Sequence, residues 1–138
     1  MSNTLVTGVF DVLHAEHVNF LRKAKKLGGR LVIGIESDVR VRKLKGEGRP
    51  VNSEQDRKRA IEELGLAEEI LILPEKFDSP DDHRQFLQKI QPDVLAVSSH
   101  TPNQSEKSRL MSEFGGRLVV VYDHNPAVST TQILQEKM

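Results

Sequence analysis

The stretch Thr4–Ile35, TLVTGVFDVLHAEHVNFLRKAKKLGGRLVIGI, decides the fold. It opens on a short apolar run, Thr4–Gly8, and closes on another, Arg30–Ile35. Between them Val18, Leu21, Ala24 and Leu27 recur at helical spacing, with Arg22, Lys23, Lys25 and Lys26 mostly outside the apolar stripe. Gly28–Gly29 stops that helix just before the second run. Neither run alternates apolar with polar residues, which is the pattern of strands covered on both faces.

The same alternation of strand and helix continues down the chain. Glu69–Leu73 (EILIL), Asp93–Val97 (DVLAV) and Arg117–Tyr122 (RLVVVY) are further short runs rich in valine, isoleucine and leucine. Glu54–Leu64, Asp82–Ile90 and Ser105–Phe114 carry helical patterns, and Gly115–Gly116 ends the last of them. Repetition of this kind predicts a Rossmann-like, doubly wound parallel sheet of five strands with helices on both faces. With 138 residues the chain has room for one core, and residues 1–138 read as a single domain.

Composition narrows the chemistry. Lys plus Arg and Asp plus Glu both number 20, so no global charge argues for nucleic acid. One tyrosine, no tryptophan and no basic stripe point the same way. The absence of cysteine removes disulfides, thiolate metal sites and cysteine nucleophiles. No apolar stretch approaches the ~20 residues of a membrane span, and MSNTLVTG does not read as a signal peptide. A cytoplasmic setting is the expectation.

The turn after the first strand, VFDVLHAEH, lies over the strand's carboxyl end at a helix N-terminus, where free backbone N–H groups attract phosphate. His14 and His17 share one side of a helical turn. Their spacing leaves several readings open: metal ligands, a phosphate-binding pair, or one capping and one surface residue. A metal site would want a third ligand and often an i,i+4 pair, and neither pattern is present. Asp11, taken alone, reads as a turn or cap residue, and the Phe10 ring as a support for the loop. Lys43, Lys45 and Arg49 sit around Gly46 and Gly48 in KLKGEGRPVN, either a solvated patch or a loop that wraps an anion. Asn52 or Ser53 can cap the following helix. Near the C-terminus, Ser129 and Gln132 form an S-x-x-Q capping box, which also presents hydroxyls at a helix N-terminus.

GVFDVLHAEH resembles the G-x-F-D-x-x-H-x-G-H signature of the cytidylyltransferase-like nucleotidyltransferases. RKLKGEGRPVNSEQDR and VSTTQI resemble the later motifs of the same family, in family order, so the likeness covers essentially the whole chain. KGEGRPVN is most similar to the adenylyltransferase domain that makes ADP-heptose from a heptose 1-phosphate. Glycerol-3-phosphate and ethanolamine-phosphate cytidylyltransferases and the archaeal FAD synthetases follow. The resemblance implies that AMP or CMP passes from ATP or CTP to a small phosphorylated acceptor, with pyrophosphate leaving. It implies that His14 and His17 bind the triphosphate and stabilise the transition state, together with Lys45. Gly8, Phe10 and Asp11 would build the turn beneath the nucleotide; Lys43 and Arg57 would contact phosphate; Ser129 and Thr130 would bind the nucleotide. Mg²⁺ would accompany the triphosphate, held largely by phosphate oxygens and water. A homodimer is also implied.

Three departures bear on activity. Glu16 stands where the family has glycine before the second histidine, adding bulk and negative charge. VSSHTPN, Val97–Asn103, lacks the lysine, glycines and aspartate that relatives carry after the fourth strand. His124, Asn125 and Pro126 replace an arginine-containing segment of the glycerol-3-phosphate enzymes, and His100 and His124 stand as candidate substitutes for binding phosphate. These differences keep two alternatives alongside the sugar-phosphate enzyme: a glycerol-3-phosphate or related cytidylyltransferase, and a catalytically weak nucleotide-binding regulatory protein.

Overall fold

The computed structural model describes residues 2–99 and 101–122, with Tyr122 described by its backbone alone. Its strands are β1 (Asn3–Gly8), β2 (Arg30–Ile35), β3 (Glu69–Ile72), β4 (Val94–Ser98) and β5 (Arg117–Tyr122). The helices are α1 (Ala15–Lys25), α2 (Asp38–Lys45), α3 (Glu54–Glu62), α4 (Pro80–Ile90) and α5 (Gln104–Glu113). All pairings are parallel, in the order β3-β2-β1-β4-β5. The order reverses direction between β1 and β4, and ligands of such sheets bind beyond the carboxyl ends of the strands at that point. This is the doubly wound sheet that the sequence predicts.

Both faces of the sheet are covered, which is why the strands read as continuous apolar runs. Leu5, Val32, Leu95 and Val97 point to one side and meet Phe86 and Leu87 of α4 and Leu110 and Met111 of α5. Val6, Leu31, Ile33, Ile35 and Ala96 point to the other and meet Leu21 and Ala24 of α1 and Ile61 of α3. The predicted stripe of α1 holds at Leu21 and Ala24, both fully buried, but Leu27 lies past the helix end and is exposed. Gly29 adopts φ +74°, and a Cβ there would stand 2.1 Å from the Ser2 carbonyl oxygen, so the connection into β2 needs glycine.

The helix α2 has no counterpart among the predicted elements. Its apolar signal is one buried residue, Val41, while its start is fixed by Ser37, whose hydroxyl accepts from the Arg40 amide at 3.1 Å. Lys43 and Lys45 therefore lie in the last turn of a helix, where cations favour the dipole, and not in a flexible loop. Among the described residues, no helix is long and apolar enough to cross a membrane.

Candidate active site

The turn after β1 is built around a close approach. A Cβ on Gly8 would lie 2.9 Å from the ring of Phe10, so the ring folds back over a position where only glycine leaves room. Phe10 itself adopts φ 51°, an uncommon conformation for a bulky residue and one held by its surroundings. Its ring is buried, belongs to the core under α1, and meets His17 edge-on at 5.6 Å between centroids. Phe10 is thus a wedge that shapes the turn.

His14 is the N-cap of α1, and His17 follows one turn on. Their rings stack at 3.8 Å between centroids and 20° between planes. The His14 amide donates to Nδ1 of His17 at 3.4 Å. A ring nitrogen that accepts leaves the neutral imidazole's hydrogen on the other nitrogen, so His17 presents Nε2–H. His14 is buried and His17 half-buried. Glu16, between them, is only 8% exposed and does not stand out in solvent. Its place in the first turn of α1 suits a carboxylate, because the positive end of the helix dipole is there.

Asp11 and Arg57 tie the turn to the segment that follows α2. Asp11 accepts from the amides of Val51 at 2.7 Å and Asn52 at 2.8 Å, and its carbonyl accepts from the Asn52 amide group at 2.5 Å. Arg49 adds a looser ion pair at 3.7 Å. Arg57 is 1% exposed and donates to four acceptors. They are the carbonyls of Asn52 (3.1 Å), Val9 (2.9 Å) and Glu36 (2.8 Å) and the carboxylate of Asp38 (2.8 Å). One guanidinium thereby joins the ends of β1 and β2, the start of α2 and the approach to α3. Ser53 caps α3, accepting from the Asp56 amide at 3.2 Å, and this presents Arg57 inward.

The expected site residues that are described fall into three groups. Gly8, Phe10, His14 and His17 are in mutual contact, and Asp11 holds the turn they form. Arg57, expected on phosphate, has its guanidinium committed to protein acceptors beneath the turn. Lys43 and Lys45 are exposed at the end of α2, in reach of solvent. Ser129 and Thr130, with His100 and His124, lie outside the described residues. The altered loop after β4 is closed locally: the Gln104 amide reaches the carbonyls of Ser98, Ser99 and Thr101 at 3.1–3.3 Å.

The sequence offered no sign of a cavity on the opposite face of β1. It holds about 310 Å³ and is lined by Thr7, Glu36, Arg40, Phe77, His83 and Lys107 among others. Burial pushes the Glu36 carboxyl up and the Lys107 ammonium down from their ordinary values, against the pull of each on the other. Burial likewise lowers His83, whose ring stacks on Phe77 at 4.1 Å. Ser37 before Asp38 is a capping pattern that marks the start of α2, the helix that carries Arg40, but it carries no sign of the space behind β1.

A sequence profile of the cytidylyltransferase-like family matches residues 5–136. The chain belongs to that family, a family of nucleotidyltransferases. It is 32% identical to the bifunctional protein HldE of Desulfatibacillum aliphaticivorans over 133 residues, covering 96% of this chain and 26% of that one. It is 36% identical to the HldE of Shewanella denitrificans over 134 residues, 97% of this chain and 27% of that one. The chain thus spans about a quarter of the length of these relatives. Among solved structures, the lipopolysaccharide core biosynthesis protein of Thermoplasma volcanium superposes with a TM-score of 0.74. At 23% identity, over 91% of this chain and 99% of that one, this supports the fold. The family member described here therefore carries its histidine pair where the parallel sheet reverses.

Proposed function

We propose that this chain transfers AMP or CMP from ATP or CTP to a sugar 1-phosphate such as heptose 1-phosphate, releasing pyrophosphate. The observation that carries the reading is the stacked pair His14 and His17 at the start of α1, over the carboxyl end of β1. A phosphate oxygen of the acceptor attacks the α-phosphorus, the bond to the β-phosphate oxygen breaks, and the pyrophosphate carries away the electron pair. No covalent intermediate with the protein is needed, so positioning and charge neutralisation do the work. Nε2–H of His17 donates to a phosphate oxygen as charge grows on it, and His14 supports the ring from behind. Lys45, with Lys43 beside it, approaches the triphosphate from the end of α2. Ser129 and Thr130 complete the nucleotide site.

Arg57 and Asp11 act as positioning residues in this scheme: they fix the height of the turn and the path of the segment after α2. Mg²⁺ fits the arrangement as the companion of the triphosphate. Among the described residues no three His, Cys, Asp or Glu side chains gather to hold a metal, so phosphate oxygens and water would supply most ligands. When bound, the ion neutralises phosphate charge and orients the leaving group. A homodimer working in the cytoplasm belongs to the same proposal.

Glu16 favours a second reading, a nucleotide-binding regulatory protein with weak turnover, because a buried carboxylate adjoins His17. A pyrophosphate-release screen separates the two. ATP and CTP are each paired with heptose and hexose 1-phosphates, glycerol 3-phosphate and phosphoethanolamine. Turnover with a sugar 1-phosphate is the expected result. Nucleotide binding without turnover on any pair would favour the regulatory reading, and turnover confined to glycerol 3-phosphate would replace the sugar by that acceptor.

A further inference from the structure

Two arginines flank the segment that the turn after β1 holds in place, and they differ in how far their donors are committed. The side chain of Arg57 is withdrawn from solvent and donates to four protein acceptors. The side chain of Arg49 is 46% exposed, and among the described residues its ion pair is with Asp11, at 3.7 Å. Arg49 therefore keeps donors for a ligand, and Arg57 does not.

Asp11 does not depend on that pair. Its Oδ2 accepts from the Val51 amide at 2.7 Å and its Oδ1 from the Asn52 amide at 2.8 Å, so each oxygen already holds a hydrogen bond. The Arg49 nitrogen stands beyond hydrogen-bond distance, and a pair with one exposed partner adds little to stability. What the carboxylate does is attract a guanidinium to the turn that carries His14 and His17, without saturating it.

The backbone around Arg49 has the same character. Val51 and Asn52 are pinned to Asp11, which fixes one end of the segment. The other end is Lys45, the last residue of α2, and between them Gly46 and Gly48 take φ +92° and +84°. A Cβ on either glycine would meet nothing within 4 Å, so both serve the path of the chain and not close packing. Arg49 is thus exposed yet only two residues from a fixed point, and its reach is confined to the neighbourhood of the turn.

A guanidinium presents a planar fork of donors that matches two phosphate oxygens, which an ammonium does not. In the proposed transfer the α-phosphate belongs at His14 and His17. Negative charge grows on the departing β- and γ-phosphates, and cations beyond the histidines must meet it. Lys45 supplies a point charge there, and Arg49 on the same segment supplies the fork.

We infer that Arg49 turns from Asp11 onto the β- and γ-phosphates of the nucleoside triphosphate and holds the pyrophosphate as it leaves. The inference rests on the proposed use of ATP or CTP and adds to it a residue that distinguishes triphosphate from monophosphate.

Equilibrium titration tests this without requiring turnover. ATP and CTP are titrated into wild type, Arg49→Ala and Arg59→Ala, and AMP and CMP are measured by displacement of the bound triphosphate. Arg59 is 70% exposed on α3 and pairs with Asp56 on its own helix, so its variant controls for the loss of one surface charge. Thermal unfolding should place both variants near wild type, because Asp11 keeps both of its amide bonds. Arg49→Gln, which keeps a hydrogen-bonding group without the charge, gives the same reading should the alanine variant lose its fold. The expected result is triphosphate affinity lower by roughly ten- to a hundredfold in Arg49→Ala, the scale of hydrogen bonds to charged groups. AMP and CMP should stay within about twofold, and Arg59→Ala should match wild type. Wild-type triphosphate affinity in folded Arg49→Ala overturns the inference, as does an equal loss for the monophosphates or an equal loss in Arg59→Ala. Failure of both ATP and CTP to bind wild type would overturn the proposed transfer itself, so the two failures are distinguishable.

Discussion

The two faces of β1 at its carboxyl end make a useful contrast. On the α1 side the site is local: Gly8, Phe10, Asp11, His14 and His17 come from one stretch of ten residues, and their contacts are with one another or with one crossing segment. On the other side, Thr7, Glu36, Arg40, His83 and Lys107 come from five separate elements or connections. The first face is rigid because a glycine, a wedge and two clamps fix one backbone path. The second is a space left between helices, and its chemistry depends on how α2, α4 and α5 happen to close over the sheet. The geometry of the first face is thus set by residues adjacent in the chain, that of the second by helix packing.

The clamp offers the strongest way to break this contrast. Arg57→Ala removes a buried guanidinium and leaves the carboxylate of Asp38 and three carbonyls without their donor. Breaking a buried pair of this kind costs about 3–5 kcal/mol. Urea unfolding should show a loss on that scale, accompanied by lost nucleotide binding. A loss below about 1 kcal/mol, the range of exposed pairs, would mean that the turn is not held from beneath.

Lys45 tests the exposed edge of the same face. It contributes few core contacts, so Lys45→Ala should leave stability within about 0.5 kcal/mol, as for most surface substitutions. Triphosphate affinity should fall by about tenfold, read by titrating ATP and CTP. Equal affinities would return Lys45 to the solvated surface.

Glu16 sharpens the account of the turn itself. Because its side chain is buried at the dipole's positive end, Glu16→Gly should cost about 1 kcal/mol of stability through helix propensity and the lost carboxylate. Removing a negative charge beside His17 should at the same time raise nucleotide affinity. A variant of unchanged affinity would show that the carboxylate is turned away from the triphosphate.

The cavity face makes the smallest prediction, in its response to pH. Burial holds His83 below the ordinary histidine value of 6.5, so the folded protein keeps it neutral where the unfolded chain takes up a proton. Its contribution is full above pH 6.5 and is lost as pH falls toward the folded value. His83→Gln should therefore flatten the decline of stability between pH 7 and pH 5 relative to wild type. Glu36, raised by burial, acts in the opposite sense as pH rises above 4.5, and comparison of the two proteins cancels it. An unaltered slope would remove His83 from the groups that sense the cavity.

Much of this molecule was legible in its sequence. The five strands lie within a residue of their predicted runs, because parallel strands covered on both faces need unbroken Val, Ile and Leu. The histidine turn was legible because its residues are adjacent in the chain. The helix α2 was missed because a single buried residue, Val41, anchors it and basic residues fill the rest. The role of Arg57 was hidden for a different reason: its acceptors are mostly backbone carbonyls, up to 48 positions away, and carbonyls leave no mark on sequence. Lys107 lies in a helix of weak pattern, and only the packing of α5 against β5 and α4 brings it near Glu36.

The central claim is that the histidine pair drives nucleotidyl transfer to a sugar phosphate. It is tested most directly by following ATP or CTP with heptose 1-phosphate by ³¹P NMR, for wild type and His17→Ala. The account predicts pyrophosphate and a diphosphate-linked sugar nucleotide forming together in wild type. In the variant the rate should fall roughly 10²–10³-fold, the scale of removing one transition-state donor, while the protein still unfolds cooperatively. Product formation at the wild-type rate by folded His17→Ala, or none from either nucleotide in wild type, would contradict it.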